Sequence, residues 1–166
     1  MKTIPVLVVL LFAFPFTQCN QYGERFKNEI RTTDSLSAQL NRSVQQYVLI
    51  DTGALVQMYN ELLETEKYAG LPFDYHLIGI YKKEIRETLS SNSHIKRDIH
   101  LTLARLKAFK QSLRHNEYDS LTFSSYLNRE KNHVNLLLRN METTGNKMEY
   151  WIVHSDSLFS SLHKKN

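Results

Sequence analysis

Apolar side chains recur every three or four residues through nearly the whole chain after residue 25, and this spacing limits the possible folds more than any other feature. Residues three and four apart share one face of an α-helix, whereas a half-buried β-strand alternates polar and apolar residues. Strict alternation is absent. The chain has only 5 Gly and 3 Pro among 166 residues, which are too few for a turn-rich all-β fold. The sequence therefore predicts an all-α protein.

Two interruptions divide this pattern into three segments. In the first, Gly70 and Pro72 stand where one helix would end and the next begin. In the second, at residues 115–119, Asp119 is a good N-cap. The segments run near 22–69, 73–115 and 119–163. The apolar series along them are Phe26, Ile30, Thr33, Ser37, Leu40, Val44, Tyr47, Leu55, Met58 and Leu62; Leu71, Tyr75, Ile78, Ile85, Leu89, Ile99, Leu103, Leu106 and Leu113; and Phe123, Leu127, Val134, Leu137, Met141, Met148, Ile152, Phe159 and Leu162.

Short connections make neighbouring helices antiparallel, and three helices of similar length then form an elongated bundle. At 1.5 Å per residue, a segment of about 45 residues spans roughly 65 Å. We therefore expect an elongated antiparallel three-helix bundle of long helices.

Each segment also contains a stretch of weak helix formers near its middle, at residues 51–53, 90–93 and 143–146. Counted from the two turns, all three stretches fall at one level of the bundle. At the first, Asp51 could cap a new helix, with Ile50 and Leu55 as a hydrophobic staple. We expect kinks or short breaks there, and a shorter bundle of more helices if all three open. The alternative is that Ser, Thr and Gly are tolerated on exposed faces of continuous helices.

The N-terminus has the features of an export signal. Lys2 precedes an apolar run at residues 4–16, which is long enough for a signal peptide but shorter than the roughly 20 residues of a membrane-spanning helix. Cys19, the only cysteine of the chain, follows this run almost directly. The sequence therefore places the protein outside the cytosol.

The four residues Phe16-Thr17-Gln18-Cys19 resemble a bacterial lipobox, although that family prefers Leu at the first position and a small residue at the third. The resemblance implies that residues 1–18 are a signal peptide, that Cys19 carries the acyl chains at the mature N-terminus, and that 19–23 form a lipidated tether before a helical domain at 24–166. It also implies a place in the cell envelope, on the outer membrane of a Gram-negative bacterium. The alternative is ordinary signal cleavage with Cys19 unmodified.

No catalytic or cofactor motif is evident in the sequence. Glu130 and His133 are spaced as in a di-iron helical bundle, but such a site needs a second pair, and no other histidine follows an acidic residue by three positions. No clustered metal-ligand spacing, nucleophile elbow, Gly-rich phosphate loop or Cys-His arrangement occurs. We therefore expect no catalytic residue, no metal, no cofactor and no enzymatic activity.

The middle segment is the most basic part of the chain. Residues 71–118 contain nine Lys and Arg against five Asp and Glu, and four of these cations share one helix face: Lys96, Lys107, Lys110 and Arg114. Such a face could contact anionic headgroups or an acidic partner. The alternative is a solvated face that partly neutralises its acidic neighbour. The overall charge is too mild to favour binding of nucleic acid, which export also disfavours.

Residues 148–153 are the densest apolar stretch of the mature chain. Because one helix face cannot bury all of them, Tyr150 or Trp151 is a candidate anchor for a protein partner. The alternative is a wider apolar face buried within the bundle.

These observations favour a membrane-anchored envelope lipoprotein whose helical bundle serves as a non-catalytic binding or spacer module, with a protein partner of unknown identity. Two other hypotheses remain. One is a freely secreted, cytokine-like helical ligand, and the other is a lipid-handling or inhibitor module that uses the bundle interior or a basic face.

Overall fold

The computed structural model describes residues 26–68, 72–115 and 119–163, and within these ranges every element is an α-helix. The helices are α1 at Lys27–Tyr47, α2 at Thr52–Tyr68, α3 at Pro72–Arg114 and α4 at Ser120–His163. The all-α prediction is therefore confirmed. The described part of the chain has four helices rather than three, because the first predicted segment is divided between Tyr47 and Thr52.

The division between α1 and α2 has a local cause in the sequence. Asp51 caps the start of α2, since its Oδ1 accepts hydrogen bonds from the backbone N–H groups of Gly53 at 2.9 Å and Ala54 at 3.2 Å. Val48 and Leu49 fill the connection and are 57% and 82% exposed. The prediction of a break capped by Asp51 is confirmed at this position.

The prediction of breaks at residues 90–93 and 143–146 is wrong, because α3 and α4 run continuously through both stretches, and a kink there stays a prediction. The weak helix formers are not all on exposed faces either, since Asn92, Thr144 and Gly145 are buried. A side chain at Gly145 would place its Cβ only 3.2 Å from Ile50 Cδ1. Close packing against neighbouring helices thus outweighs a propensity deficit of up to about 1 kcal/mol at the glycine.

The direction of α4 relative to α3 follows from contacts at three levels. The ring centroids of Phe109 and Phe123 lie 5.6 Å apart, Arg105 Nε lies 3.4 Å from Glu130 Oε1, and Tyr81 meets Trp151 at 5.7 Å. Residue numbers fall along α3 as they rise along α4, so these two helices are antiparallel.

Helices α1 and α2 pack beside opposite halves of α3 and α4. Phe26, just before α1, meets Phe123 near the start of α4 at 5.2 Å, and Asp34 pairs with Lys110 in the last part of α3. Helix α2 lies beside the first part of α3, where Lys82 Nζ is 2.5 Å from Glu66 Oε2. We call residues 27–47, 93–115 and 119–141 the α1 half, and residues 51–68, 72–92 and 142–163 the α2 half.

The apolar spacing predicts much of the core. Within the described residues, the members of the three series are mostly buried, including Leu40, Ile85 and Val134. On α1 the core position is Leu36 rather than the predicted Ser37. On the two long helices Tyr75 is 47% exposed and Trp151 is buried in place of Ile152. A straight helix drifts by about 20° per heptad relative to a fixed face, so a helix of more than 40 residues changes the positions that face inward.

The turn at residues 69–71, like Cys19 and the whole of residues 1–25, lies outside the described residues. The N-cap predicted at the second turn is confirmed, because Asp119 Oδ1 accepts the backbone N–H of Thr122 at 2.8 Å.

Candidate functional site

The basic face predicted on α3 is accessible at three of its four residues. Lys96, Lys107 and Arg114 are exposed. Lys110 is half-buried and forms an ion pair with Asp34 of α1. The alternative of neutralisation by an acidic neighbour therefore applies to Lys110.

Antiparallel packing separates the charges of the described residues into two halves. The α1 half contains twelve Lys and Arg against five Asp and Glu, and the α2 half contains five against ten. The end of α3, which is rich in cations, lies beside the starts of α1 and α4. Helix α2 brings a net negative charge to the start of α3 and the end of α4. The described part of the chain is consequently basic toward the start of α1 and acidic toward the end of α4.

Aromatic rings pack together where α1 begins. Phe26 and Phe109 both lie against Phe123, and Tyr126 stacks on Phe109 with 5.7 Å between centroids. Tyr126 remains 39% exposed, with the Arg129 guanidinium 5.7 Å from its ring. Sequence analysis did not single out Tyr126, although its departure from the 3-4 series marks it as a surface aromatic.

The two aromatic anchors predicted on α4 have different environments. Trp151 is 6% exposed, belongs to the core and meets Tyr81 edge-on. Tyr150 is 55% exposed, contacts the Trp151 ring at 5.4 Å and stacks on His154 at 4.3 Å. Because Trp151 is buried in the core, Tyr150 is the one of these two residues that a partner can contact.

Tyr150 borders a groove between α3 and α4 with a volume of about 570 Å³. Glu84 and Glu87 of α3 line this groove with Lys147 of α4, and Trp151 forms part of its apolar lining. A second open groove of about 1100 Å³ lies between α2 and the end of α4, where its charged residues are acidic: Glu61, Glu64 and Asp156. Both grooves belong to the α2 half. They offer an apolar contact beside carboxylates, which suits a partner surface carrying basic groups.

Glu130 and His133, the pair considered for a metal site, both lie on α4. Glu130 is buried, and its ion-pair partner is Arg105 of α3. Among the residues that the structure describes, no three His, Cys, Asp or Glu side chains come together in a way that could hold a metal ion.

The interior contains polar atoms that the apolar spacing does not reveal. Within the described ranges, Tyr47 Oη, Asn92 Oδ1 and Glu130 Oε2 are buried without a hydrogen-bond partner. Burial raises the pKa of Tyr47 from its ordinary value of 10.0 to about 12, because the phenolate is poorly solvated there.

None of the described helices has both the length and the apolar character needed to cross a membrane. Comparisons of the chain with family models, with curated proteins and with solved structures gave no match.

Proposed function

We propose that this protein is a non-catalytic envelope lipoprotein, anchored through acylated Cys19, that presents a protein-binding surface away from the membrane. In this proposal the helices form an elongated antiparallel three-helix bundle, in which α1 and α2 together make one arm beside α3 and α4. The bundle is both a spacer and a binding module, and the binding surface is centred on Tyr150.

The observation that carries the proposal is the separation between the start of α1 and Tyr150. Helix α1 begins eight residues after Cys19, and Phe26 contacts Phe123 near the start of α4. Tyr150 lies 30 residues beyond Ser120 on the same helix. At 1.5 Å per residue this distance is roughly 45 Å. An anchor at Cys19 and a partner at Tyr150 would therefore act on opposite halves of the molecule.

The surface at Tyr150 is suited to a protein partner. Exposed aromatic residues supply much of the binding energy in many protein interfaces, because they bury a large apolar area with few rotatable bonds. The Tyr150 ring already rests on Trp151 and His154. It needs little further ordering on binding, and Glu84 and Glu87 at the neighbouring groove favour a partner with Lys or Arg beside an apolar patch.

The anchor is tested by labelling the native protein with palmitate in cells, with Cys19→Ala as the control. The proposal requires label on the wild-type protein, none on the variant, and a mature N-terminus at Cys19 by mass spectrometry. An unmodified or differently cleaved N-terminus would exclude the anchor.

The binding surface is tested by placing a photo-crosslinking amino acid at Tyr150 in the native host. Leu101 is a matched control position, since it is a similarly exposed apolar residue of the α1 half. We expect one discrete protein adduct from position 150 that is absent from position 101. The same adducts from both positions, or none from position 150, would contradict the binding role.

A further inference from the structure

We infer that the basic surface of the α1 half binds anionic phospholipid headgroups of the membrane to which the protein is anchored, through Lys107 and Arg114. This inference rests on the proposed anchor at Cys19. It adds that the folded helices, and not only the acyl chains, contact the membrane.

The geometry places these two cations toward the end of the bundle at which α1 begins. Lys107 and Arg114 are seven residues apart, so they share one face of α3, and both are exposed. Lys107 lies about 10 Å from the end of α3 at 1.5 Å per residue. The start of α1, to which the tether leads, is at this end, since Phe26 packs near Phe109 through Phe123.

Nearby residues add to this surface. Exposed Tyr126 lies at the same end with Arg129 over its ring. An aromatic ring flanked by cations is the usual composition of a protein surface in the headgroup region. Lys110 contributes less, because Asp34 already pairs with it.

The charge separation also favours one orientation. An anionic membrane attracts the α1 half, with its excess of seven basic side chains, and repels the α2 half, with its excess of five acidic ones. Only charges within a Debye length of about 8 Å from the surface act strongly at physiological salt. For a molecule standing on its α1 end, Arg114 satisfies this condition at the end of α3, and the long flexible side chain of Lys107 can bring its ammonium group within reach of the surface, whereas Lys96, about 27 Å from that end, is too far. The Tyr150 surface then lies in the half farther from the membrane.

The inference is tested by vesicle co-sedimentation of residues 19–166, which lack the apolar run and carry no acyl chain. This chain retains every buried core residue of the described helices. We expect it to bind vesicles of phosphatidylcholine with phosphatidylglycerol, to bind pure phosphatidylcholine vesicles far less, and to dissociate as salt is raised.

The deciding comparison uses two charge-matched double variants on α3. Each cation near the surface contributes roughly a five-fold change in the binding constant, so Lys107→Gln with Arg114→Gln should weaken binding to the anionic vesicles about 25-fold. Lys83→Gln with Arg86→Gln removes the same charge from exposed positions in the α2 half and should change binding less than two-fold. Circular dichroism establishes that both variants remain helical.

Three results would overturn the inference: equal binding to neutral and anionic vesicles, an equal loss in both double variants, or binding to soluble heparin without binding to anionic vesicles. These outcomes are separate from those of palmitate labelling. If the protein is labelled but its unacylated domain does not bind anionic vesicles, the proposed anchor stands and the headgroup site is excluded. If the protein is not labelled but its domain binds these vesicles, the headgroup site stands and the anchor is excluded.

Discussion

The guanidinium of Arg105 on α3 meets the carboxylate of Glu130 on α4 with 3.4 Å between Nε and Oε1, and the two side chains differ sharply in exposure. The Arg105 side chain is 46% exposed, whereas that of Glu130 is 5% exposed. The second carboxylate oxygen of Glu130 is buried without a partner in the described part of the chain. The pair fixes one register of the two long helices, at the expense of a carboxylate that is poorly solvated.

Removing Arg105 and removing Glu130 should therefore change the free energy of unfolding in opposite directions. Arg105→Ala leaves the buried carboxylate unpaired and should destabilise the protein by about 1–3 kcal/mol. Glu130→Met removes the buried charge at similar volume and should be neutral or stabilising by about 1 kcal/mol. Urea unfolding followed by circular dichroism measures both. Equal destabilisation by the two variants would show that the ion pair is a net stabilising contact.

The glycines of α3 and α4 form a second matched pair. Gly79 has nothing within 4 Å of an added Cβ, so Gly79→Ala should stabilise the protein by about 0.5–1 kcal/mol through helix propensity alone. At Gly145 the same change brings the Cβ to 3.2 Å from Ile50 Cδ1 and should yield a smaller gain.

The double variant Gly145→Ala with Ile50→Ala tests that explanation. Removing the Ile50 side chain should make the alanine at position 145 as favourable as the one at position 79, measured as a coupling free energy in a double-mutant cycle. Additive effects would mean that Ile50 is not the obstacle.

The break between α1 and α2 depends on Asp51 as the cap of α2. Asp51→Ala removes the acceptor of the Gly53 and Ala54 N–H groups and should destabilise the protein by about 1 kcal/mol, whereas Asp51→Asn retains an acceptor and should cost only a few tenths. Thermal unfolding of the two variants separates loss of the cap from loss of charge. An equal loss for both would assign the effect to the charge.

Tyr47 should lower the stability of the protein at alkaline pH. The unfolded chain releases the phenol proton near pH 10.0 and the folded protein near pH 12, so the unfolded state binds fewer protons between these values. Stability therefore falls as pH rises through this window. Tyr47→Phe should remove that part of the fall.

Near neutral pH, the same change should stabilise the protein by up to about 1 kcal/mol, since it deletes a buried hydroxyl without a partner. Unfolding in urea at pH 7 and at several values above 10 tests both effects. An unchanged alkaline slope in the variant would assign the pH dependence to other groups.

Substitutions at Tyr150 and Trp151 should have different effects, although the two residues are adjacent: one should impair partner binding and the other should impair stability. Trp151→Ala creates a cavity in the core and should destabilise the protein by about 3–5 kcal/mol. Tyr150→Ala should cost less than about 1 kcal/mol and weaken binding of the partner identified by crosslinking from position 150. Denaturant midpoints measure the first effect. Comparable destabilisation by the two variants would make Tyr150 a structural residue.

The local signals of this chain predicted its helices well. The 3-4 spacing indicated the all-α fold, and Asp51 and Asp119 indicated where α2 and α4 begin, because an N-cap is a contact between residues only two or three positions apart. The same local reasoning failed at residues 90–93 and 143–146. Propensity cannot show that Asn92, Thr144 and Gly145 face neighbouring helices, whose packing keeps α3 and α4 continuous.

Residues close together along the chain were enough to specify the helical pattern, the caps and the amount of charge in each segment. Packing in three dimensions selected which residues meet across helices. It buried Trp151 and left Tyr150 exposed, paired Lys110 with Asp34, and gathered the cations of three helices into the α1 half. These outcomes depend on the rotation and direction of whole helices, which are set by how all of their faces pack together.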